Sequence, residues 1–116
     1  MRVNVSERAH RGLVLVCALA AAGATGGSAA QDTAREYTIT IEAMRFEPDT
    51  LAVRRGDRVT WVNEDLVPHT ATATTKVFDS GSIAPGGAWT HVAAEPGTQA
   101  YACAFHPTMK GEVVIR

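Results

Sequence analysis

The sequence predicts an all-β chain, a Greek-key sandwich of about seven or eight short strands behind an N-terminal leader. Three observations predict it. Apolar and polar residues alternate at the strand period from Glu36 onward. Turn-forming residues interrupt the chain at intervals of about eight to twelve positions. No stretch of the body sustains a helical period, and no internal repeat is visible.

The leader comes first. Arg2, Arg8 and Arg11 form a positive segment, the run from Gly12 to Ala22 is apolar, and Ser28, Ala29 and Ala30 supply small residues for cleavage. This order predicts a secretory signal over 1–30 and a single domain over 31–116. The apolar run is shorter than the roughly 20 residues that span a bilayer, so the mature chain is not expected at a membrane. Without the leader, 86 residues remain, enough for one small core. They carry eight basic against eleven acidic side chains with no run of either sign, which argues against nucleic acid as a partner.

Along the body, Tyr37, Ile39 and Ile41 share one face of a first strand, and the segment Met44 to Pro48 breaks the period. Leu51 and Val53 mark a short strand, and Arg54 to Asp57 a turn. Val59, Trp61 and Asn63 alternate along the next strand. Glu64 to Pro68 form a loop ending at His69, and Thr70 to Thr75 are β-prone but lack bulk. Asp79 to Gly81, Ala84 to Gly87 and Glu95 to Gly97 are turns. Strands are expected through Trp89 to Val92, Thr98 to Cys103, and Val113 to Ile115.

The chemistry concentrates near the C-terminus. Cys103, His106 and Met109 follow the spacing C-x-x-H-x-x-M, and His69 lies upstream after Pro68. Cys17 leaves with the leader, so Cys103 has no partner for a disulfide and is either a metal ligand or a reactive thiol. Two histidines and one cysteine with a weak methionine form the donor set of a blue-copper electron-transfer site. Soft sulfur favours Cu(I) while imidazole keeps Cu(II) bound, so the set suits an ion that changes valence. Zinc fits less well, because a thioether is a poor zinc ligand. Pro107 stiffens the loop and Gly111 permits its turn into the last strand.

The run Tyr101, Cys103, His106, Pro107, Met109 and Gly111, with Trp61, Asn63, Pro68 and His69 upstream, resembles the cupredoxin (plastocyanin/azurin) family across 36–116. The two-residue gap between His106 and Met109 resembles its amicyanin branch. The resemblance implies one copper ion per chain, cycling between Cu(I) and Cu(II) on His69, Cys103, His106 and Met109. It implies a monomeric periplasmic electron carrier rather than an enzyme. Its partners would be redox proteins, such as a dehydrogenase donor and a c-type cytochrome acceptor. The alternative is a copper-binding or copper-delivery protein with no electron-transfer role.

The resemblance also implies that the Thr70 N–H faces the Cys103 sulfur and that His106 is the accessible ligand. Asn63 is expected either to tie the two ligand loops by side-chain hydrogen bonds or to be an ordinary turn residue, and Trp61 to be core. An apolar patch of Met44, Pro68, Phe105 and Pro107 should surround His106, with Glu64, Asp65, Lys76 and Lys110 as rim charges. His91 departs from the pattern, occupying a position where apolar residues are usual, and is expected to be a surface or satisfied histidine.

Overall fold

The computed structural model describes residues 33–116. The expected leader over 1–30 lies outside them. Eight strands follow in order: β1 Glu36–Glu42, β2 Arg45–Glu47, β3 Thr50–Val53, β4 Arg58–Asn63, β5 Thr72–Ala73, β6 Ala88–Val92, β7 Gly97–Ala102 and β8 Lys110–Ile115. They form two four-stranded sheets, β2-β1-β4-β6 and β3-β8-β7-β5. The pairs β1–β4 and β3–β8 are parallel, and the other pairings are antiparallel. Among the described residues there is no helix able to cross a membrane.

Alternation places the core where the sequence suggests. Ile39 and Ile41 of β1, Val59, Trp61 and Asn63 of β4, and Val113 and Ile115 of β8 point inward. Trp61 is the hub, fully buried. Its ring meets Tyr101 edge-on at 5.4 Å and lies 5.5 Å from Phe78 and 5.7 Å from Trp89. Such packed pairs stabilise beyond the area they bury. His91 stacks on Trp89 at 5.8 Å and lies 4.8 Å from Phe78, half-buried, and burial pushes its pKa down. It packs against the edge of the aromatic layer and lies outside the group of His69, Cys103 and His106.

Two local features depart from the expected outline. The segment that breaks the period after Ile41 is a hairpin: Ala43 and Met44 form its turn and β2 returns along β1. Both turn residues have positive φ, 55° and 59°, the left-handed pair that favours glycine and asparagine. With neither present, the sequence carries no turn signal there. The β-prone stretch after His69 yields only the two-residue β5, because its small side chains bury little.

Asp57 fastens the pole opposite this hairpin. Its carboxylate accepts the N–H groups of Arg35 at 2.9 Å and Arg54 at 2.8 Å, joining the start of β1 to the turn before β4. The amides of Arg35 and Arg54 hold its carboxyl below the ordinary value, outweighing the opposing effect of burial.

Two outcomes are expected. A group whose carboxyl is depressed by folding stabilises the fold fully above its unfolded pKa and loses that contribution as pH falls through its folded value. The urea midpoint of the metal-free protein should therefore fall on acidification below about pH 4, and Asp57→Asn should flatten that slope. At Gly111, an added Cβ would lie 2.5 Å from the buried Tyr101 hydroxyl. Gly111→Ala should lower stability by about 1–3 kcal/mol in the same titration.

Candidate metal centre

Two loops at one end of the sandwich bring three of the four predicted donors together, His69, Cys103 and His106. The first follows β4, where Asn63, fully buried, organises the turn. Its amide donates to the carbonyls of Val67 and Ile83, both at 2.9 Å, and its Oδ1 accepts the Asp65 N–H at 2.9 Å. His69 then exchanges two backbone hydrogen bonds with Ile83, at 3.2 Å and 2.7 Å. The ring of His69 is thus presented from a backbone held on both sides, and it is fully buried.

The second loop joins β7 to β8. The His106 N–H donates to the Cys103 carbonyl at 3.2 Å, the Met109 N–H to the His106 carbonyl at 2.9 Å, and the Cys103 N–H to the Met109 carbonyl at 3.1 Å. These three bonds wind the loop tightly around the Cys103 sulfur. Cys103 is completely buried, Met109 nearly so, and His106 half-exposed.

The donor atoms of His69, Cys103 and His106 all lie within 4.8 Å of one another. The Cys103 Sγ is 3.7 Å from His69 Nδ1 and 3.6 Å from His106 Nδ1. Bonds of about 2.0 Å to nitrogen and 2.3 Å to sulfur, meeting at about 120°, would separate N from S by about 3.7 Å. The spacing therefore fits one transition-metal ion among three donors. Sulfur and imidazole together suit copper. Met109 lies at the foot of the same loop, its side chain packed into the core.

Two hydrogen bonds from Thr70 join the loops. Its N–H donates to the Cys103 sulfur at 3.3 Å, and its Oγ1 accepts the Ala104 N–H at 2.7 Å. The first agrees with expectation. The second makes the link between the ligand loops that is one of the two expectations for Asn63; Asn63 instead acts as a turn residue, binding the His69 loop internally and to Ile83.

The family described as Cupredoxin-like domain matches residues 13–115. The chain belongs to the cupredoxin-like family. Amicyanin of Paracoccus denitrificans is 30% identical over an alignment covering 96% of this chain and 98% of that protein. Plastocyanin of Scenedesmus fuscus is 31% identical, covering 64% of this chain and 89% of that protein. Among solved structures, a Cu(I) form of an amicyanin variant superimposes with a TM-score of 0.66 at 29% identity, covering 70% of this chain and 82% of that one. A purple cupredoxin from Nitrosopumilus maritimus gives 0.64 at 30% identity, covering 69% of this chain and 99% of that one. The cofactor of this cupredoxin is accordingly a single copper ion.

One expectation is corrected. Asp65 is not a free rim charge. Its Oδ2 lies 2.8 Å from His69 Nε2, and its two oxygens accept the Ala43 N–H at 2.7 Å and the Met44 N–H at 3.0 Å. Burial works against its ionised form, but the amides of Met44 and Ala43 and the His69 imidazole outweigh it and hold the carboxyl below its ordinary range. Sequence reasoning missed this contact because the amides it accepts are more than twenty residues away. The four-residue step from Asp65 to His69 was the one local signal.

Thr70→Val keeps the backbone donor to sulfur but removes the acceptor of the Ala104 N–H. Urea titration of the metal-free protein should show a loss of about 1 kcal/mol.

Proposed function

We propose that this cupredoxin is a type 1 copper electron carrier that moves single electrons between redox proteins of the periplasm after loss of residues 1–30. The observation that carries this reading is the buried convergence of one sulfur and two imidazole nitrogens on loops held by the sandwich. His69 Nδ1, Cys103 Sγ and His106 Nδ1 would hold the copper, with the Met109 thioether as the weak fourth donor. Bound there, copper supplies reversible one-electron redox chemistry.

The protein's own contribution is rigidity, shielding and a single exit. Thr70, Asn63 and the three loop bonds fix the donors before any metal arrives, so little needs to move when the charge of the centre changes. Burial of Cys103 and His69 keeps water from the sulfur. His106 is the only one of the three that reaches the surface, and its edge is the short route outward. Around this pole stand exposed apolar side chains: Met44, Leu66, Val67, Pro68, Phe105 and Pro107. An apolar face of this kind suits brief docking, since weak electron-transfer encounters use small interfaces. A dehydrogenase donor and a c-type cytochrome acceptor are the partner classes that the amicyanin likeness suggests. A delivery protein would need an open site that surrenders its ion; the buried Cys103 and His69 favour retention.

Stoichiometric Cu(II) added to the purified mature chain should produce an intense visible absorption that a reductant bleaches and an oxidant restores, with one equivalent at saturation. Cys103→Ser should abolish the band. A colourless wild-type titration would refute the proposal.

A further inference from the structure

A chain of hydrogen bonds runs from the backbone beside Cys103 out to the surface, and its direction is fixed at both ends. At the inner end the Ala104 N–H donates to Thr70 Oγ1 at 2.7 Å. Thr70 Oγ1 lies 2.9 Å from Thr72 Oγ1, and the Thr72 hydroxyl donates to Asp79 Oδ1 at 3.1 Å. The same Oδ1 accepts the Gly81 N–H at 3.0 Å. The Gly81 amide and then the Thr72 hydroxyl hold the Asp79 carboxyl below its ordinary range, so it is ionised at neutral pH and only accepts. A hydroxyl has one proton to give. With that of Thr72 committed to Asp79, the proton between the two threonines belongs to Thr70, whose oxygen is left to accept from Ala104. The turn that carries Asp79 is itself held against this strand: the Ala71 N–H donates to Ser80 Oγ at 2.8 Å and the Ser80 N–H to the Ala71 carbonyl at 3.1 Å.

We infer that exposed Asp79 is a positioning residue for the metal centre: acting through Thr72, it orients the buried Thr70 hydroxyl and so secures the bond by which the His69 loop holds the Cys103 loop. Thr70 is only 3% exposed, so its hydroxyl proton has no water to turn to. If Thr72 no longer accepts it, that proton must seek another acceptor, and the lone pair aimed at the Ala104 N–H is lost. The feature required of residue 79 is an acceptor oxygen rather than a charge, because one oxygen receives both of its listed partners, Thr72 and Gly81. The bearing on copper rests on the function proposed above, whereas the hydrogen bonds need no metal.

The test is amide hydrogen exchange by nitrogen-15 NMR of the metal-free mature protein, with visible spectra of the same proteins after Cu(II) addition. In wild type the Ala104 amide should be protected although it lies in a loop. Thr72→Val and Asp79→Ala should each speed its exchange about 3–10-fold and leave the amides of the β7–β8 pairing unchanged. Thr72→Ser and Asp79→Asn keep the hydroxyl and the acceptor oxygen, and should restore protection. With Cu(II), the absorption band should shift in the first pair of variants and not in the second. An unprotected Ala104 amide in wild type would overturn the inference even if the variants failed to fold. So would equal acceleration of every amide, which marks a general loss of stability, or a band unmoved in both Thr72→Val and Asp79→Ala. An Ala104 amide that responds as expected in a protein that stays colourless with Cu(II) would refute the copper reading and leave the role of Asp79 in joining the loops standing.

Discussion

The arrangement depends on the placement of one sulfur atom. Cys103 sits at the end of β7 with no exposed surface, and the chain beyond it folds back so that His106 and Met109 bond to its own backbone. Three of the four expected donors thus arrive on one short loop whose shape its own amides enforce. The fourth, His69, comes from a separate loop, and the Thr70 N–H to the sulfur with Thr70 Oγ1 to Ala104 brings the two into register. The same residue that follows the histidine in sequence therefore anchors it to the cysteine in space.

Rigidity here is a functional property rather than a by-product of stability. A carrier must present nearly one geometry to two charge states, and each adjustment of its cage adds to the barrier for electron transfer. The described fold opposes adjustment at several levels. The aromatic layer around Trp61 braces the sandwich beneath the site, Asn63 has both amide hydrogens and its oxygen engaged, and His69 is bonded to Ile83 through both backbone polar groups. Side-chain amides saturated in this way specify a single loop conformation, because any alternative strands a buried polar group.

Much of the fold was legible because burial on one face writes itself into a period of two. Ile39 and Ile41, Val59 and Trp61, and Val113 and Ile115 all occupy the faces their alternation implies. The signal fails where local composition does not reflect local conformation. Ala43 and Met44 turn left-handed without a glycine to announce it, since the compensating acceptors belong to Asp65. Thr72 and Ala73 carry a strand too short and too small to show a pattern. His91 is half-buried against Trp89, which shares its face of β6, and against Phe78, a neighbour that parity alone does not identify.

By itself the sequence supplied the candidate donors, because a lone cysteine spaced from histidine and methionine leaves few metals that would be held well, and His69 after Pro68 offers a second imidazole. Only the tertiary structure decided how those donors are used: which nitrogen of each ring turns toward the sulfur, that Thr70 rather than Asn63 links the loops, and that Asp65 faces inward. These are matters of direction and hydrogen-bond partnership between segments remote in the chain. Spacing along a sequence carries chemical identity, but orientation is set by the surrounding packing.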